Sequence, residues 1–347
     1  MANIYDIVTS KEIASYWTES SRERVPYFGA SKFPVKKKLG LDLSWIKGAK
    51  GSPVSLSLSA FDAKAIPLNR VGFKKLSADM PFFKNSKNID EKQRQELNKV
   101  IGSGNATIID IIINQIFDDK SSLISNALVA QEMMRMQILT TGSLAVANNG
   151  QSYSYDYGVP ADNKKTLTST AKWDAPTTAD PIRDILSWKA IVTESTGETP
   201  TELLMNSTTL RLIGKCDSIK NAIYVMGNGK VVPSTGAVKK FILEETDCIV
   251  YTYDKGYKND SAVFTKFVAD KIVVVMPSSN LGDTFVGTTP EESDLINDSS
   301  ASVDIVEMGI AITTSKEIDP VNVMTKASMI SLPSFELADS VVIATVA

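Results

Sequence analysis

Histidine is absent from the 347 residues. With it go the commonest general base, the usual metal ligand and the standard catalytic triads. Cysteine is nearly absent as well. Cys216 and Cys248 are the two present, in no CxxC or zinc-like spacing, so a disulfide scaffold is excluded and two reduced, buried thiols are expected. No apolar run reaches the length of a bilayer span. MANIYDIVTSKEIASYW lacks the charged-then-apolar pattern of a signal peptide. A chain made in a cytoplasm, with no membrane partner, is expected. An excess of positive charge is missing too: 37 basic residues face 40 acidic ones, for a net charge of −3. A protein that grips DNA phosphates carries a basic excess or stripe. Nucleic acid near this chain is therefore expected to be confined rather than bound by sequence.

The motifs of common chemistry are missing in turn. No GxxxxGK[ST] loop and no GxSxG occurs. Gly227-Asn228-Gly229 lacks the third glycine of a dinucleotide fingerprint and reads as a hairpin turn. Asp118-Asp119, Glu244-Glu245 and Glu291-Glu292 are paired carboxylates, the residue type of acid–base chemistry, but paired surface acids are ordinarily solvated. Pro290 to Asp294 reads as a helix start, where acids complement the dipole. No catalytic, cofactor-binding or metal-binding residue is assigned, and no cofactor is expected.

What is present is an ordinary globular balance, 43% hydrophobic and 22% charged, over a length that fits two or three domains. The stretch 107–141 organises it. Ile108, Ile109, Ile112, Ile113, Ile116 and Phe117, then Leu123, Ile124, Ala127, Leu128, Met134 and Ile138, recur in steps of three and four. No proline interrupts them, and Gly142 follows as a left-handed terminator. One long helix is expected; two core helices broken near Asp119 are the alternative.

The second informative stretch is 36–61. Leu41, Leu43 and Trp45 alternate with Asp42 and Ser44, and Val54, Leu56 and Leu58 alternate with serines, the period of two of strands with one apolar face. Lys47-Gly48-Ala49-Lys50-Gly51 lies between them as a reversal. A long hairpin is expected, and two strands alone are marginal in water. Its apolar face needs cover from elsewhere. Leu41, Leu43, Trp45, Ile46, Val54, Leu56 and Leu58, with Lys47 and Lys50, are the candidate residues for contact between subunits. Lys36, Lys37 and Lys38 add to a local basic cluster, which reads either as solvated edge or as binding surface.

Elsewhere Thr9 or Ser10 caps a short helix over KEIASYW, and Val25-Pro26 ends it. IDEKQRQELNKVI reads as a charged helix. SYSYDYGV and TLTSTAKW read as strands. Asp180-Pro181 opens a helix that ends before Gly197. TTLRLIGK reads as a short helix, and ELLMN, KKFILEE, CIVYTY, KIVVVM, VDIVEMGIAITTS, ASMISL and SVVIATVA as strands. The chain is α+β, with its last strands expected to rejoin an earlier sheet.

Specific words along nearly the whole chain resemble one family: KEIASYW, KKLGLDLSWIKGAKG, SAFDAKA, MPFFKNS, IDEKQRQEL, AQEMMRMQ, YDYGVP, ADPIRDI, LGDTFVGTTPEE, and DPVNV followed by SFELADSVVI. They are similar to the lambda-like major capsid proteins of tailed phages, the phage capsid protein E family, and in particular to versions from phages of Gram-positive hosts. The resemblance implies the tailed-phage, or Hong Kong-type, capsid fold: an intersubunit N-terminal arm over 1–29, an extended β-hairpin loop over 30–77, and a peripheral domain over 78–195 that contains the spine helix 107–141. An axial domain over 196–320 and return strands of the peripheral domain over 321–347 complete it. It also implies self-assembly into hexamers and pentamers of an icosahedral shell around double-stranded DNA, with scaffolding and portal proteins, and a decoration protein, as partners. The shell is expected in the virion, assembled in the host cytoplasm. An encapsulin-like compartment shell, and an intracellular enzyme or ligand-binding protein with a lid hairpin, are the alternatives.

Overall fold

The computed structural model describes residues 9–20, 26–38, 40, 42–47, 74–89, 91, 95, 99, 106–148, 151–224, 231–259, 262–296, 301–318 and 321–347. In chain order it begins with helices α1 (Ser10–Ser20) and α2 (Phe28–Lys32), then strands β1 (Val35–Lys37), β2 (Asp42–Lys47), β3 (Lys74–Asp79) and β4 (Phe82–Ile89). Helix α3 (Ala106–Thr141) follows, then β5 (Ser143–Asn148), β6 (Gln151–Asp156), β7 (Lys164–Thr166), α4 (Pro181–Thr196), β8 (Glu202–Met205), α5 (Ser207–Lys215), α6 (Asp217–Ile223) and α7 (Thr235–Thr246). Strand dominates the remainder: β9 (Ile249–Thr252), β10 (Gly256–Lys258), β11 (Phe264–Lys266), β12 (Ile272–Met276), β13 (Thr284–Val286), β14 (Ala301–Val306), β15 (Ile310–Ile318), β16 (Val321–Pro333) and β17 (Val342–Thr345). A single π-helical turn, Glu291–Leu295, precedes β14. Between β4 and α3, the described Glu91, Gln95 and Lys99 are helical and exposed.

The apolar stripe over 107–141 is one helix of 36 residues, about 54 Å long at a 1.5 Å rise, with no break at Asp119. Gly142 ends it at φ +74, its N–H donating to the Ile138 carbonyl at 2.8 Å. A Cβ on Gly142 would lie 2.7 Å from Val159 Cγ2, so both the left-handed backbone and the close approach require glycine.

Two units make up the chain. The first contains the described residues of Met1–Leu43, Ser77–Met133 and Asp283–Ser334. Its sheet is built on β16. One edge of β16 takes β15, which in turn takes β14; the other edge takes β4 along Val323–Ile330 and β13 at Ser331–Pro333, with β1 parallel outside β13. Leu123 and Ile124 of α3 pack with Ile13 and Trp17 of α1 over Val306, Ile310, Ile312, Val323, Ala327 and Met329 of that sheet. Of the expected intersubunit arm over 1–29, residues 9–20 and 26–29 are described. Helix α1, with the Glu12 N–H on Thr9 Oγ1 at 3.2 Å, buries Ile13 and Trp17 against its own chain. The polar residues off the α3 stripe fasten its neighbours: Asp118 accepts from Tyr16 Oη at 2.6 Å, and Lys120 Nζ donates to the Lys87 carbonyl at 2.5 Å. Asp119 pairs with the Lys87 ammonium.

The body of the second unit is Met134–Gly282 and Phe335–Ala347. Its sheet runs β7-β17-β12-β8-β9, with β7 parallel to β17, β9 parallel to β8, and β12 antiparallel to both its neighbours. Trp188 and Val192 of α4, Leu210 and Ile213 of α5, and Val238 and Ile242 of α7 pack against Leu203, Val273, Val275 and Val342. Asp180 Oδ1 caps α4 by accepting from the Arg183 N–H at 3.3 Å, and Gly197 ends it left-handed at φ +76. Asn206 caps α5, its side chain accepting from the Thr209 N–H. KKFILEE, expected as a strand, lies in helix α7: Val238, Ile242 and Thr246 are buried at intervals of four, and the adjacent Phe-Ile-Leu only mimics a strand run.

The return of 321–347 divides between the two sheets. Strand β16 joins the first unit's sheet, whereas β17 pairs with β12 and β7.

Candidate assembly surfaces

Strand β2 carries Leu43, Trp45, Ile46 and Lys47, and pairs with β3 in a two-stranded ribbon that belongs to neither of the larger sheets. Leu41, Lys50, Val54, Leu56 and Leu58 lie outside the described residues. Among the described residues β2 pairs with Lys74–Asp79, while the limb expected to pair with it, 54–58, lies outside them. Alternation marks a strand but carries no information about its partner.

The lysines at the start of this stretch have partners within the chain. Lys36 Nζ lies 2.7 Å from Asp283 Oδ2, and Lys37 pairs with Glu292. Lys38 Nζ sits 5.9 Å from the centroid of the Phe285 ring. Strand β1 is thereby held to β13 and the following π turn by charge as well as by its parallel ladder. All three lysines thus contribute to holding β1 on its own chain.

Glu291, the other half of the Glu291-Glu292 pair, is 4% exposed. Its Oε1 lies 2.5 Å from Lys326 Nζ, and its Oε2 accepts from Ser328 Oγ at 2.8 Å. Burial pushes this carboxyl up; the hydrogen bonds from Lys326, its own backbone N–H and Ser328 outweigh it and hold the group below its ordinary value. The paired carboxylate is a clamp between the π turn and β16. Sequence reasoning missed it because Lys326 lies 35 positions away on a strand whose register is set by the fold.

The two cysteines are buried in the second unit's core. Burial pushes the Cys216 thiol up to about 11 and raises that of Cys248 as well, which keeps both as unreactive thiols. Among the described residues no group of three or more Cys, Asp or Glu is placed to hold a metal. Among the described residues the geometry offers sheet edges and a separate two-stranded ribbon.

The family model for phage major capsid protein E matches residues 9–346. No curated protein matches the chain. Among solved structures, the fold is similar to a prophage protein of E. coli CFT073 described as a capsid protein: 12% identity, 98% of this chain and 99% of that one covered, TM-score 0.64. It is also similar to a phage-related protein from Bordetella bronchiseptica RB50, at 13% identity, with 99% and 98% covered and a TM-score of 0.53.

Proposed function

The chain belongs to the phage major capsid protein E family, and from that premise we propose how it builds a head. Its role is that of a major capsid protein and its place is the capsid of a virion. Copies associate into hexamers and pentamers that close into an icosahedral shell, assembled in the host cytoplasm with scaffolding and portal proteins and enclosing double-stranded DNA. A decoration protein on the outside is a further partner. No chemical step is required of the subunit. The first unit, with the strands along α3, serves as the peripheral domain, and the second unit as the axial domain around the capsomer centre.

The observation that carries this reading is the match of one capsid family across residues 9–346. The separate β2–β3 ribbon supports it, because two strands with an apolar face need a surface to lie on. We assign that surface to a neighbouring copy, with Leu43, Trp45 and Leu56 as apolar contacts. Burying one such side chain contributes roughly 1.5–3 kcal/mol. Individually modest contacts, repeated in every subunit, hold a closed shell through multivalency.

The test is Trp45→Ser, assayed by sedimentation and negative-stain microscopy. Particle formation is expected to fall while the thermal melt of the unassembled chain stays that of the wild type. Undiminished assembly rejects the role given to the ribbon. Gene neighbours separate the phage reading from a compartment shell: portal and terminase genes support the first, a cargo-enzyme gene the second. The same neighbourhood tests the resemblance to phages of Gram-positive hosts.

A further inference from the structure

We infer that the two outer edges of the second unit's sheet are complementary halves of one contact between neighbouring copies of this chain, an inference that rests on the shell reading above. The sheet runs β7-β17-β12-β8-β9, so β7 and β9 stand at opposite ends, about 19 Å apart at roughly 4.8 Å per strand. Among the described residues, β7 pairs with β17 alone and β9 with β8 alone.

The β9 edge is apolar with an acidic cluster at one end, and Lys239 Nζ lies at its other end on Thr252 Oγ1 at 3.0 Å. Ile249 and Tyr251, at alternate positions, are 50% and 36% exposed, and Leu243 at the end of α7 is 45% exposed. Glu244, Glu245 and Asp247 stand exposed beside them. These acids are at the unfavourable end of α7. The last turn of that helix carries no basic residue, and the partial negative charge of a helix C-terminus repels carboxylates. Lys240 meets Glu244 only in an exposed pair at 3.6 Å, which counts for little. The ammonium of Lys189 is buried on the Thr246 carbonyl and faces the backbone instead. Negative charge gathered where the subunit itself disfavours it, next to an apolar strip, fits a partner that brings positive charge.

The β7 edge supplies that charge. Lys164 and Lys165 lie on the strand, with Lys164 exposed, and the half-buried Lys172 follows the 3-10 helix Ser169–Ala171; against these stands one exposed acid, Asp162. The nearby Lys271 is already held by Asp174 at 3.4 Å. A contact between two β9 edges, or between two β7 edges, would set like charges against each other. A β9-to-β7 contact sets opposite charges together. It joins different patches on successive copies, so it is heterologous and closes into a ring when the rotation allows, as a capsomer requires.

Reversing the charges tests this. Glu244→Lys with Glu245→Lys leaves lysines on both edges. The expected result is about tenfold less protein in particles by sedimentation at low salt, from like-charge repulsion. The unassembled variant is expected to melt at or above the wild-type temperature, since lysines suit a helix C-terminus. Adding Lys164→Glu and Lys165→Glu to the same chain is expected to restore assembly. The inference is overturned if the first variant assembles like the wild type, if its melting temperature drops, or if the four-substitution chain melts normally yet stays unassembled. A wild-type chain that forms no particles in the same assay rejects the shell reading itself, so the two failures are distinguishable.

Discussion

Lys120 places an ammonium under the first unit's sheet, 1% exposed, with its Nζ on the Lys87 carbonyl. Burial lowers its pKa to about 8, against a raising effect of Asp119 and a further lowering by Lys87. The ordinary lysine value, near 10.4, applies in the unfolded chain. Between those two values the unfolded state binds more protons than the folded one, so this group makes stability rise with pH across that window. In urea titrations at pH 7.5 and pH 10, Lys120→Met is expected to lack that rise relative to the wild type; parallel pH dependence of the two proteins contradicts the assignment. Glu291 has the opposite sign. Its carboxyl is held below its ordinary value, so its contribution is present at neutral pH and is lost as pH falls through the lowered value. Glu291→Gln leaves the half-buried Lys326 without its counter-charge and is expected to cost about 1–3 kcal/mol at pH 7. The difference from the wild type should close on acidification, as read from urea melts at a series of pH values.

At the scale of elements, α1 is the cover of the first unit's sheet, and Trp17 is its largest anchor, with its indole N–H on Glu307 Oε1 at 3.1 Å. Trp17→Ala is expected to cost about 3–5 kcal/mol and to open helix α1 to proteolysis under native conditions. An unchanged cleavage rate contradicts the role given to α1. This element also shows where sequence reading succeeds and where it stops. The helix over KEIASYW, its Thr9 cap, the 107–141 helix, and the Asp180 and Gly197 ends of α4 were readable because each depends on neighbours within four residues along the chain. What α1 covers was not readable, since Val306 and Ile310 are nearly 300 positions away. KKFILEE failed for a different reason: three adjacent apolar residues satisfy both periods, and only burial of Val238, Ile242 and Thr246 decides for a helix. The partners of Lys36 and Lys37, and the division of β16 from β17, likewise depend on register and topology that no local pattern encodes.

For the whole molecule, the balance of 37 basic and 40 acidic residues suits a shell wall that encloses DNA without adhering to it along a basic groove. Assembly is then expected to depend on salt through contacts between copies rather than through nucleic acid, and added DNA should leave the sedimentation profile of purified protein unaltered. The subunit has a one-piece helix of 36 residues, a ribbon that joins neither main sheet and carboxylates used as clamps, all of which fit a building block. The most direct measurement is the size of what the purified wild-type protein forms across a concentration series, by sedimentation velocity with negative-stain images of the same samples. Rings of capsomer size or closed shells, growing with concentration, are the predicted result. A monomer or a small oligomer of fixed size at every concentration would contradict it.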